Sequence, residues 1–251
     1  MDSNGSWVPQ GSYWQACVTA GDSLINYNNF DTLVCVSQQV DGPPVQRAWP
    51  YANGGTFTTA EGNRSLGVIS MPNDWGVVGN REIYDTFSHE LGHNLGLGDQ
   101  YTPVVAGRNL GSWEMMDWDD PLPHFTIAHR MMLGWVQGSW IQSFNFSAIG
   151  GSVDQTITLH QIERGAPPSG RRAGIEIRIA DGWNYYFEHR RGQTSQIGDR
   201  FLPEDNIVVG TDVTSPPYSP PLSRPGFLML PQGSAGVAFA NGESYQETDF
   251  S

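Results

Sequence analysis

The chain contains no lysine: all 13 of its basic residues are arginine, set against 26 acidic ones. The net charge of -13 repels polyanions, which argues against nucleic acid or an anionic membrane surface as partner. Cysteine is almost as scarce. Cys17 and Cys35 are the only two, so a disulfide-framework fold is ruled out and one bridge is the maximum. A single bridge is compatible with export. No apolar run approaches the ~20 residues that a membrane-spanning helix needs, so no transmembrane segment is expected. Residues 1–15 lack the basic start and apolar core of a signal peptide. For an exported protein, the signal and any propeptide are expected outside this sequence. Disorder is disfavoured, because 38% hydrophobic residues over 251 positions suffice for a sizeable core in one large domain or a domain with an appendage.

What is present is concentrated in His89-Glu90-Leu91-Gly92-His93-Asn94-Leu95-Gly96-Leu97-Gly98-Asp99. On a helix, His89 and His93 lie one turn apart on one face, where two imidazoles can share a tetrahedral metal. Glu90 is offset from that pair. It can sit beside a metal-bound water and act as general base instead of ligand. Gly96 and Gly98 can end the helix, since glycine readily takes the left-handed conformation at a helix C-terminus, and the chain can turn back to offer Asp99. Three protein ligands with one open position is the pattern of a catalytic zinc. Apolar residues Ile83, Tyr84, Phe87, Leu91 and Leu95 recur at helical spacing, which places the motif on a helix over 81–95. Rival ligands are weaker. Glu114 lacks the local turn that returns Asp99, His124 sits at a helix start, His129 reads as a surface or satisfied core residue, and His160 and His189 read as sheet residues.

Elsewhere the pattern predicts a helix over 13–25 and a buried strand at Thr32-Leu33-Val34-Cys35-Val36. Residues 41–55, with Gly42-Pro43-Pro44 and Gly54-Gly55, read as an exposed connection, and 73–80 as a Gly-rich turn. Leu66 to Met71 is a further strand, either an edge strand or a plain core strand. Beyond about residue 145, period-two alternation at 155–160, 174–179 and 183–190 predicts antiparallel β structure.

The extended zinc motif resembles that of the metzincin peptidases. Their usual third ligand is His. Asp99 in that place is similar to snapalysin and, with Gln100-Tyr101 in step, more closely to the immune inhibitor A-type secreted metallopeptidases. Gly111-Ser112-Trp113-Glu114-Met115-Met116-Asp117 resembles their Met-turn, with Met116 in place and Trp113 three positions before it. Pro123-His124-Phe125, Ala128-His129-Arg130 and Leu133-Gly134-Trp135 resemble the helix that follows. Tyr185 to Arg190, Leu202-Pro203 and Asn206 to Val209 resemble the family's later strands. The likeness spans roughly residues 15–215.

The resemblance implies an α+β fold: a metzincin-like catalytic domain over 1–144, with a twisted mixed sheet, an active-site helix and a Met-turn, then a small antiparallel β-rich region over 145–251. It implies a secreted, monomeric zinc endopeptidase acting on proteins or peptides. Zinc is held by His89, His93 and Asp99, and Glu90 is the general base on zinc-bound water, whose pKa the metal lowers toward ~7. An edge strand ahead of the zinc helix often holds substrate backbone in metzincins, which makes 66–71 the candidate. Calcium is the second cofactor the family commonly binds, and Asp117-Trp118-Asp119-Asp120, Asp199 and Glu204-Asp205 are loop carboxylates suited to it. Many metzincins carry an oxyanion-assisting Tyr after the Met-turn; none lies between Met116 and Trp135. Two other classes stand beside this reading. One is a catalytically silent adhesion or glycan- or protein-binding module with structural zinc, against which Glu90 argues. The other is an intracellular aminopeptidase, against which Asp99 and the Met-turn argue.

Overall fold

The computed structural model describes residues 10–37, 51–72, 83–100, 110–117, 123–146, 152–180, 183–191, 199, 202, 207–214 and 227–228. It is of α+β type and falls into two compact units, Met1–Gly96 and Leu97–Ser251.

In the first unit, α1 (Gln10–Gly21) leads into β1 (Thr32–Ser37), β2 (Tyr51–Thr59), β3 (Gly62–Pro72) and α2 (Ile83–Asn94). The strands form a sheet in the order β1-β3-β2, with β1 parallel and β2 antiparallel to β3. Successive side chains of a strand point to opposite faces, and both faces of β3 are apolar. Leu66 and Val68 join Trp14, Val18, Tyr27, Cys35 and Phe57 in a core on the α1 side. Ile69 and Met71 pack with Ala52 against Phe87 and Leu91 of α2 on the other. A disulfide between Cys17 and Cys35 fastens α1 to β1, and Asp22 Oδ1 accepts the Ala60 N–H of the β2–β3 turn at 2.8 Å.

Two expectations change here. Of the connection expected over 41–55, residues 51–55 belong to β2 instead, and 41–50 lie outside the described residues. Gly54-Gly55 is no loop signal; a Cβ on Gly55 would lie 3.2 Å from the Phe57 ring, so glycine lets that ring fold down beside the strand. The strand at 66–71 is central in this sheet, hydrogen-bonded on both sides, and cannot serve as an edge. The Gly-rich turn at 73–80 lies outside the described residues.

The second unit is built on a sheet of order β10-β9-β8-β7-β4. These strands are β4 (Ile141–Asn145), β7 (Gly174–Ala180), β8 (Trp183–Arg190), β9 (Ile207–Thr214) and β10 (Phe227–Leu228). The run from β7 to β10 is antiparallel, as the alternation predicts, but β4 joins β7 in parallel. The strand expected over 155–160 shrinks to β5 (Thr158–Leu159), paired in parallel with the equally short β6 (Arg171–Arg172). With so short a partner, alternation beyond it has no ladder to join. The short helix α3 (Ile127–Met132) packs on the sheet through Ile127 and Ala128, beside Val136, Ile141, Ala173 and Tyr186. Gly174 makes room for it: a Cβ there would stand 2.9 Å from Ile127 Cγ1 and 3.1 Å from the Phe187 carbonyl.

Candidate metal centre

Helix α2 carries His89 and Glu90 on one turn and His93 on the next, with Asp85 in its first turn, where a carboxylate favours the N-terminal end of the helix dipole. The imidazole rings of His89 and His93 meet edge to face, with centroids 4.9 Å apart. The helix ends at Asn94. Gly96 follows with φ 95°, and its N–H donates to the His93 carbonyl at 2.9 Å. This is a left-handed C-terminal stop that a residue with a side chain adopts only under strain. Leu97, 3% exposed, then turns the chain inward and Asp99 follows.

One ligand atom from each of His89, His93 and Asp99 lies within 4.8 Å of the others. His89 is buried, while His93 and Asp99 are half-buried. Two imidazoles and one carboxylate are the donors that suit zinc in a three-ligand, open-position site, so the residues present fit the metal the sequence implies. Glu90 is 7% exposed, on the same helical turn as His89.

Met116 is fully buried in a turn where the Asp117 N–H donates to the Glu114 carbonyl at 3.1 Å. The Met116 carbonyl accepts the Gln100 N–H at 2.6 Å, so the segment leaving Asp99 is tied to the turn that carries Met116. Trp113, 2% exposed, sits at the start of that turn.

The rival ligands are occupied elsewhere. Glu114 accepts the N–H groups of Met116 at 3.0 Å and Thr126 at 2.6 Å, and its Oε1 lies 3.1 Å from His129 Nδ1. Burial pushes the Glu114 carboxyl up, but attraction to His129 and these hydrogen bonds outweigh it and hold the group below its ordinary value. His129, 5% exposed, is therefore a core histidine with a carboxylate partner. Burial lowers the His124 pKa despite the nearby Asp199 charge. His160 is lowered by burial and then by Arg171, Arg164 and His189; its N–H donates to the Arg172 carbonyl beside β6. His189 belongs to β8.

Sequence reasoning missed a buried charge cluster on β8. Arg190, 0% exposed, holds Asp199 through Nε and Nη2, each at 2.6 Å, reaches Glu188 Oε1 at 3.3 Å, and donates to the carbonyls of Trp113 and His124. Burial acts to lower the Arg190 pKa, but Glu188 and Asp199 raise it further. Asp199 is held below its ordinary value by the Arg190 pair against the effect of burial. Glu188 goes the other way: burial dominates over Arg190 and raises its pKa. The signal was the Glu188-x-Arg190 spacing, which puts both residues on one face of a strand. Asp199, one of the carboxylates considered for calcium, is thus paired with Arg190, and Asp117 Oδ2 accepts the Gly111 N–H at 2.7 Å. The remaining acidic candidates at 119, 120, 204 and 205 lie outside the described residues, as does Tyr101. Comparison of the chain with protein-family models, curated proteins and solved structures gave no match.

Proposed function

We propose that the chain is a secreted zinc-dependent endopeptidase that hydrolyses peptide bonds in proteins. The observation that carries this reading is the grouping of His89, His93 and Asp99 with Glu90 on the same helix. Zinc held by these three residues supplies a Lewis acid for the scissile carbonyl and acidifies water. Glu90 takes a proton from the attacking water and delivers it to the leaving amine, the part a structural zinc site has no use for. In this reading residues 1–144 carry the chemistry and 145–251 form an accompanying β-rich region. The bridge between Cys17 and Cys35 supports an oxidising compartment. Since β3 is central, the substrate-holding edge expected of 66–71 is not part of this reading.

The test is metal analysis together with casein cleavage. Wild type should bind one zinc and cleave. Glu90→Ala should retain zinc and lose about 10²–10⁴-fold in rate, the usual size of a general-base contribution. Asp99→Ala should lose stoichiometric zinc. Zinc without cleavage in wild type would sink the peptidase and favour the silent binding module.

A further inference from the structure

The link between Met116 and the residue after Asp99 continues inward to a single carboxylate. The Gln100 N–H donates to the Met116 carbonyl at 2.6 Å, and the Met116 N–H donates to Glu114 Oε1 at 3.0 Å. Glu114 Oε2 accepts from Thr126 at 2.6 Å, and His129 Nδ1 stands 3.1 Å from Oε1. Glu114, Met116 and Gln100 are 0%, 0% and 2% exposed. In so dry a setting, a carboxylate held from three sides fixes its neighbours, since any donor it releases is left unsatisfied. Arg190 fixes the start of the same turn by donating to the Trp113 carbonyl at 3.2 Å. On the other side of Asp99, the Gln100 side chain donates to the Gly98 carbonyl at 3.1 Å, which closes the Asp99 turn on itself. The run Glu114–Met116–Gln100 therefore ties that turn to the core of its own unit.

We propose that Glu114 is a positioning residue for the metal centre: acting through the Met116 backbone and the Gln100 N–H, it sets where the Asp99 carboxylate stands. The inference rests on the metal reading of His89, His93 and Asp99. Glu114 itself contacts neither metal nor substrate. Outer partners of ligands typically contribute about 10–100-fold to metal affinity, and that is the size of effect expected here.

Cobalt(II), whose d–d bands report ligand number and geometry, is titrated into the 251-residue chain as wild type, Glu114→Gln and Glu176→Gln, with urea stability measured for each. Glu176 is the control. It is likewise buried, 5% exposed, and bonds Ser143, Arg178 and Tyr186, none of which belongs to the run. Glu114→Gln should bind cobalt about tenfold or more weakly with altered d–d bands, while Glu176→Gln keeps wild-type affinity and bands even where it loses stability. Wild-type affinity and spectrum in Glu114→Gln would overturn the proposal. Equal weakening in both variants would overturn it too, by reducing the effect to general stability. Wild type that takes up no cobalt removes the metal reading and this inference together, whereas a wild type that binds while Glu114→Gln is unchanged removes this inference alone. Should Glu114→Gln not fold, His129→Gln, which keeps the carboxylate and removes its imidazole neighbour, is titrated in its place: weaker binding with a changed spectrum supports the proposal, and unchanged binding overturns it.

Discussion

Around β3 the inward positions are aliphatic, whereas around β8 they are charged. Leu66, Val68, Ile69 and Met71 are each 3% exposed or less and pack with apolar residues of α1 and α2. Full burial of such side chains is worth roughly 1.5–3 kcal/mol each. On β8 the equivalent inward positions bring in Glu188 and Arg190, 1% and 0% exposed. A buried ion pair contributes little net stability compared with a packed apolar pair. What Arg190 adds is direction, because its planar fork reaches Asp199, Glu188 and two backbone carbonyls along fixed lines. The first unit is held by area and a disulfide; the second adds directed charge pairs to its own apolar core.

The comparison breaks if Arg190 proves dispensable. Arg190→Leu leaves Asp199 as a buried charge without its cation and strips Glu188 of a donor, and should lower the free energy of unfolding by about 3–5 kcal/mol, read from urea midpoints at constant m-value. A loss no larger than that of an exposed residue would mean the cluster is solvated. In the first unit the matching experiment is Cys17→Ala with Cys35→Ala, which opens a loop of sequence separation 18. The expected loss is about 3 kcal/mol, again from urea, with the far-UV spectrum of the folded state retained. A pH series on Glu188→Gln gives the smallest effect and the sharpest reading. The Glu188 pKa is raised in the folded state, so its contribution is complete below the unfolded value and is lost as pH rises through the folded one. Glu114 and Asp199 are lowered, so theirs is complete above the unfolded value and is lost as pH falls through the folded one. As pH rises above about 4, near the ordinary carboxylate value, Glu188→Gln should gain in stability relative to wild type. Parallel curves for the two proteins would contradict the burial-driven shift.

The parts of this architecture that were legible in the sequence are those with strong local periodicity. The stripe of Phe87 and Leu91 gives α2, observed as Ile83–Asn94 against an expected 81–95, and the left-handed Gly96 gives its end. For the bridge the sequence set only an upper bound of one, and Cys17–Cys35 forms it. The grouping of Asp99 with the two histidines was readable because only a few residues and a glycine stop separate them. The misses share a cause, which is dependence on distant chain. Gly54-Gly55 looks like a loop until Phe57 is seen lying beside it. The cluster of Glu188 and Arg190 comes together only when Asp199, Trp113 and His124 arrive from distant chain. The tie from Gln100 to Met116 joins two backbone groups, and no side-chain pattern encodes it.

The Cys17–Cys35 bridge also has a topological consequence. It makes residues 17–35 a covalent ring, and two of the most exposed large apolar side chains, Leu24 at 86% and Phe30 at 54%, lie within it. Exposed segments of this kind are where proteases nick a chain. A single cut anywhere inside the ring severs the backbone but releases no fragment, so the nicked chain migrates as one species until a reductant opens the bridge.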